Sequence, residues 1–274
     1  MYYLLSHIEY HRILLDPKSG GVYIRKLIAL FDNNISRIAD NVNHYIYALN
    51  VFISERVYGN SRSEANSILK KLISIPDLIS EKSISHDVRV QIFQMYYNLV
   101  CHIALIFRDY ENAIPLIRKF ELERKEFEKY LIPSLRLCLQ SNIACIYFGA
   151  RKYKEALKWC NEAMTHPLKT RYDVIYEVRI LSLLIHYELG NQIILPNLMR
   201  TTHNSLQKMN RGNQFATILL KHLHLLLGAE SKQDQKLIFK QFKEEVLPLL
   251  DNKLENVVFD DIDIISWIDM KIKT

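Results

Sequence analysis

A 274-residue chain that is 49% hydrophobic and 24% charged carries enough apolar side chain to bury a core and is not a disordered polymer. Its 36 basic residues exceed the 30 acidic ones, for a net charge of +6. The excess is interleaved with acids, as in Glu121-Leu122-Glu123-Arg124-Lys125-Glu126, which suits solvated helix faces with i,i+4 pairs and argues against the one-sided basic stripe of a nucleic-acid binder. Seven glycines and seven prolines leave long uninterrupted segments, which disfavours a fold of short strands and tight turns.

Residues 1–15 read as a short helix with Leu4, Leu5, Ile8 and Leu15 apolar. Asp16-Pro17-Lys18-Ser19-Gly20-Gly21 is the clearest break in the chain. A second helix is expected over about 22–31, followed by an interruption at Asp32-Asn33-Asn34. The next carries Ile38, Val42, Tyr45, Ile46, Leu49 and Ile53 on one stripe and ends at Tyr58-Gly59-Asn60. Ser61 and Glu64 have capping-box spacing, so a further helix opens there. It packs through Ala65, Ile68, Leu69, Leu72 and Ile73 and stops at Pro76.

Four helix pairs are then expected, at 87–107 with 110–130, 134–148 with 152–165, 171–189 with 192–209, and 213–227 with 232–250. Their warrant is a period of about 40 residues. Phe107, Tyr147, Tyr187 and Leu227 recur at that step, as do Ile103, Ile143, Leu183 and Leu223. Turn signals follow at Arg108-Asp109, Gly149-Ala150, Gly190-Asn191 and Gly228-Ala229, and Gly149 is expected to end its helix with a positive φ. Pro115 and Pro196 lie near the starts of second helices, while Pro248 should bend or end its own. A last amphipathic helix is expected over 259–272, covering the final pair with Phe259, Ile262, Ile265 and Trp267 or Ile268, and keeping Asp260, Asp261, Asp263 and Asp269 in water.

The stretch from Ser141 to Ala163 organises the rest. Ala144, Ala156 and Ala163 are small where helices must touch, Tyr147 stands late in the first helix, and Pro167 closes the second. This arrangement resembles a tetratricopeptide repeat of a divergent bacterial type. It departs from the family at Gln140, where a tryptophan is usual, at Cys160, where a large aromatic is usual, and in a period longer than the usual ~34 residues. The resemblance covers about residues 86–250. It implies an all-α fold, a right-handed α-solenoid of antiparallel helix pairs. Residues 1–84 would be degenerate repeats or a cap, 85–250 the array, and 251–274 the polar-backed helix that closes it.

Cys101, Cys138, Cys145 and Cys160 form no C-x-x-C pair and read as reduced, half-buried thiols. No apolar run reaches the ~18 residues of a membrane span, and Met1-Tyr2-Tyr3-Leu4 carries no basic leader, so the expected place is the cytoplasm, with no membrane partner. H-E-x-x-H, a phosphate-binding glycine loop and the G-x-S-x-G elbow are absent, and His222 and His224 point apart on a helix. No metal, no cofactor and no enzymatic activity are expected. The positive cluster of Arg151, Lys152, Lys154, Lys158, Lys169 and Arg171 reads as a solvated helix-turn edge.

The resemblance further implies a binding groove lined by the first helix of each pair. The residues it places there are Asn98, His102, Arg108, Ser141, Asn142, Phe148, Glu188, Lys221 and His222. The function it implies is a protein-interaction scaffold gripping a peptide or a partner helix, with a homodimer as a further assembly. The alternative is the ligand-sensing or dimerising half of a transcription regulator, for which residues 1–60 offer no persuasive helix-turn-helix.

Overall fold

The structure, a computed structural model, describes residues 1–14, 16–55, 59, 61–79, 84–165, 171–208, 214–251 and 261–274. Among these the chain is all-helical, with no strand. In order the α-helices are α1 Tyr2–Ile13, α2 Pro17–Asp32, α3 Ile35–Asp40, α4 Val42–Ser54, α5 Arg62–Leu78, α6 His86–Ile106, α7 Tyr110–Phe127, α8 Pro133–Gly149, α9 Tyr153–Met164, α10 Tyr172–Glu188, α11 Leu195–Lys208, α12 Gln214–Leu227, α13 Lys232–Val246 and α14 Ile264–Lys273. The chain divides into two compact units, one of residues 1–107 and 115–136, the other of 108–114 and 137–274.

The break expected at 16–21 is shorter than its glycines suggest. Asp16 caps α2 by accepting the Ser19 N–H at 3.2 Å, and Pro17 starts the helix where a missing N–H costs nothing. Gly20 and Gly21 therefore lie inside α2, buried, where a Cβ on Gly20 would stand 3.3 Å from the Cβ of His11. Pro76 likewise sits within α5 rather than ending it; it falls in the last turn, and the helix closes at Leu78. Ser61 caps α5 through the Glu64 N–H, but the Glu64 carboxylate pairs with Arg25 instead of returning to the cap. Leu15, Tyr58, Asn60, Pro167, Lys169, Phe259 and Asp260 lie outside the described residues.

The first unit is built on one apolar cluster that includes Ile8, Leu27, Phe31, Ile38, Tyr45, Leu49, Phe52 and Leu72. Several of its polar groups find partners. The Tyr45 hydroxyl donates to Asp32 at 2.9 Å, and Lys71 pairs with the same carboxylate. Two buried amides of α6 hold backbone: Gln94 donates to the Ile132 carbonyl at 3.0 Å and accepts its N–H at 2.9 Å, while Asn98 donates to the carbonyls of Gln94 and Leu135. Burying unmet amides would cost about 1–3 kcal/mol each, so these contacts specify one arrangement.

Three of the four turns expected at the period share a backbone geometry, and Gly228, at the fourth, does not take a positive φ. Arg108 after α6, Arg151 after α8 and Gly190 after α10 all take the left-handed conformation, at φ 53°, 59° and 68°. Lys152 N–H reaches back to the Tyr147 carbonyl at 2.8 Å, and Asn191 N–H reaches the His186 carbonyl at 3.0 Å, both five residues earlier. This closure satisfies carbonyls that the helix end would leave orphaned. Gly149 is not the left-handed residue; it ends α8, and the positive φ falls two residues later on Arg151.

What fixes Gly149 is a ring from outside its helix. A Cβ there would lie 2.5 Å from Cζ of Tyr110, so the tyrosine rests directly on bare backbone. Gly149→Ala is expected to destabilise the fold by about 1–3 kcal/mol, the usual cost of overpacking. Gly228→Ala is the comparison: its Cβ would come no nearer than 3.7 Å to another atom, so it should be neutral or mildly stabilising. Denaturant midpoints of the two variants check the pair, and equal midpoints would show that Tyr110 does not press on Gly149.

Candidate functional site

Within the second unit the last helix is the element that gathers the most chemistry. Asp263 caps α14 by accepting the Ser266 N–H and stands 3.4 Å from Nε of Arg108. Trp267 buries its ring edge-on to Tyr187, Phe239 and Phe242, with ring centres 6.0, 5.5 and 6.5 Å away. Its indole N–H donates to Glu188 at 2.6 Å. Lys271, one turn on, pairs with the same carboxylate and lies over the Tyr187 ring. Lys243 of α13 pairs with Asp269 at 2.6 Å. The seat thus combines an apolar anchor, a near-buried carboxylate and cations at both ends.

Three of the aspartates expected in water lie among the described residues and are engaged. Asp263 and Asp269 are in ion pairs, and Asp261 is half-buried. Ile262, Ile264 and Ile268 join Trp267 in the core, whereas Ile265, expected there, is only half-buried.

Two cavities flank this helix. One of about 150 Å³ is lined by Tyr110, Phe148, Gly149, Arg151 and Tyr153 together with Asp263, Ser266, Trp267 and Met270 of the last segment. The other, about 160 Å³, is lined by His186, Tyr187, Asn191, Gln192, Leu195, Leu226, Leu227, Gln235 and Lys271. Burial together with the Glu188 carboxylate pushes the Tyr153 hydroxyl up to about 12, so it stays a neutral donor.

Beneath lies a buried acid. Glu177 of α10 is 5% exposed and accepts the Ser141 hydroxyl at 3.1 Å and the Cys145 thiol at 3.6 Å. Burial, then the neighbouring Asp261 carboxylate, raise its proton affinity well above that of an ordinary glutamate. Burial also pushes the thiols of Cys101, Cys145 and Cys160 up, so these cysteines are poor nucleophiles.

The structure brings Arg108, Phe148 and Glu188 together around α14, each from the set the sequence placed in a groove. Ser141 of that set is buried on Glu177, and Asn142 is half-buried. Lys221 pairs with Glu245 at 2.7 Å, and His222 is buried, stacked on Phe242 with Nδ1 against the Ile218 carbonyl. In the first unit Asn98 is spent on backbone, and His102 is half-buried on α6. Lys152 and Arg171 of the positive cluster pair with Glu111 and Asp173.

Sequence reasoning passed over Tyr110, Glu177 and the pair His7 and His11. The last had a visible signal, two histidines four apart on one helix. No helix among the described residues is long and apolar enough to cross a membrane. No family model, curated protein or solved structure matches this chain.

Proposed function

We propose that the chain is a non-enzymatic interaction module whose second unit accepts an amphipathic helix in the seat its own α14 occupies. The observation that carries this reading is the makeup of the seat. Arg108, Phe148 and Glu188, on the ends of the first helices of successive pairs, meet a short helix through one tryptophan anchor and two charge pairs. Helix-in-groove recognition works this way, with apolar anchors at helical spacing and charges fixing the register. Within the second unit the pairs α8–α9 to α12–α13 form, on the same proposal, a right-handed stack of tetratricopeptide type, supported by the repeated closure at Arg151 and Gly190.

The test uses the full chain and a labelled peptide of residues 261–274. Wild type should bind it weakly, because its own helix fills the seat, and Trp267→Ala should bind it about tenfold more tightly as the competent fraction rises. Adding Glu188→Lys should remove the gain by repelling Lys271 of the peptide. Equal binding by wild type and Trp267→Ala would overturn the reading.

A further inference from the structure

We propose that His7 and His11 of the first unit form a binding site for a borderline divalent transition metal, tightest for Cu(II), with Asp16 orienting one of the two ligands. The site is unrelated to the α14 seat and does not depend on it.

The argument starts from helix geometry. His7 and His11 are four apart on α1, so their side chains share one face. Their rings lie within 27° of parallel with centres 6.4 Å apart. Tyr23 of α2 backs both, stacked on His7 at 4.5 Å and 7° and on His11 at 5.5 Å and 20°. This shared support holds the imidazoles side by side before any ligand arrives. Gly20 brings α2 close to α1 at His11, where a side chain would crowd the histidine.

The spacing is within reach of a metal. With metal–nitrogen bonds of about 2.0–2.1 Å, a ring centre lies about 3.2 Å from the ion, so two imidazoles bound at a right angle stand about 4.5 Å apart. Side chains on one helix face can bind only in that way, and the rings, now 6.4 Å apart, reach it by side-chain rotation.

A second observation concerns His11 alone. Its Nδ1 is buried without a hydrogen-bond partner and faces the Asp16 carboxylate at 3.6 Å. A carboxylate facing one ring nitrogen favours the proton there and leaves the other nitrogen, Nε2, to bind metal. Asp16 itself is held by the Ser19 N–H, so it is a fixed support.

Two nitrogens and no thiolate suit Cu(II), Ni(II) and Zn(II), in the order copper first, and do not suit Mg(II) or Ca(II). Among the described residues no group of three or more His, Cys, Asp or Glu is placed to hold a metal. Water therefore completes the shell, and the ion is exchangeable.

Isothermal titration of the full chain with CuCl₂, ZnCl₂ and MgCl₂ tests this, with nitrogen hyperfine structure in the copper spectrum as the second readout. Expected are one copper equivalent on two nitrogens, weaker zinc and no magnesium. Asp16→Asn should lose about tenfold or more in affinity, as supporting carboxylates generally do, and His7→Ala and His11→Ala more than that. His203→Ala, an exposed histidine on α11, should change nothing. Copper binding that survives both His7→Ala and His11→Ala, with circular dichroism unchanged, would overturn the proposal, as would no binding by wild type.

Discussion

Trp267→Ala is expected to cost about 3–5 kcal/mol, the range for removing a buried tryptophan. At about 2–4 °C per kcal/mol for a unit of this size, the transition of the second unit should fall by roughly 10 °C. Three losses add. The ring leaves a hole among Tyr187, Phe239 and Phe242. Glu188, whose side chain is only 7% exposed, loses its indole donor and keeps Lys271 and the Tyr153 hydroxyl. The pairs Arg108–Asp263 and Lys243–Asp269, both partly exposed, cannot hold a helix without its anchor, since such pairs contribute about 1 kcal/mol or less each. Trp267→Phe separates these effects, because it keeps a ring against the aromatic cluster and removes only the N–H. It should cost less than half as much. Calorimetry at one pH distinguishes the two variants, and a loss under about 1 kcal/mol for the alanine would mean that the ring does not anchor α14.

What the sequence could disclose was local. Apolar spacing placed the helix pairs from α6 to α13 within a few residues, because a helix that buries one stripe must repeat it every three or four positions. The misreadings came from side chains whose roles are set by distant neighbours or competing caps. Gly20-Gly21 looked like a loop, but the Asp16 cap and Pro17 outweighed two glycines once α1 needed close approach. Gly149 looked like a left-handed stop, whereas its reason is Tyr110, thirty-nine positions earlier in the chain. The groove set follows from position on the first helices, and position does not say what covers a residue. Ser141 proves to be a partner of Glu177, His222 a core ring, and Arg108 and Glu188 contacts of α14. A glutamate in α10 could not announce its burial, because one polar residue in an apolar helix reads the same whether it faces water or a serine.

That glutamate should make the stability of the second unit depend on pH in a direction opposite to most carboxylates. An unfolded glutamate loses its proton near pH 4.3, and in the fold burial and the Asp261 carboxylate hold the Glu177 proton to a higher pH. Between those two points the folded chain carries a proton that the unfolded chain has released. Stability therefore falls as pH rises through that interval, by about 1.4 kcal/mol per unit, and levels off once Glu177 ionises in the fold as well. Glu177→Gln keeps an oxygen to accept from Ser141 and Cys145 and has no charge to bury. It should unfold at a higher temperature than wild type at pH 8, with the difference shrinking toward zero at pH 4. Glu177→Ala, by contrast, should be less stable at every pH, because it leaves the Ser141 hydroxyl and a hole behind. Asp261→Asn should recover part of the glutamine's gain at pH 8 by removing the repelling neighbour. Thermal unfolding of the four chains from pH 4 to 8 decides it. A gap between wild type and Glu177→Gln that does not change with pH would mean that Glu177 gives up its proton no later in the fold than in the open chain.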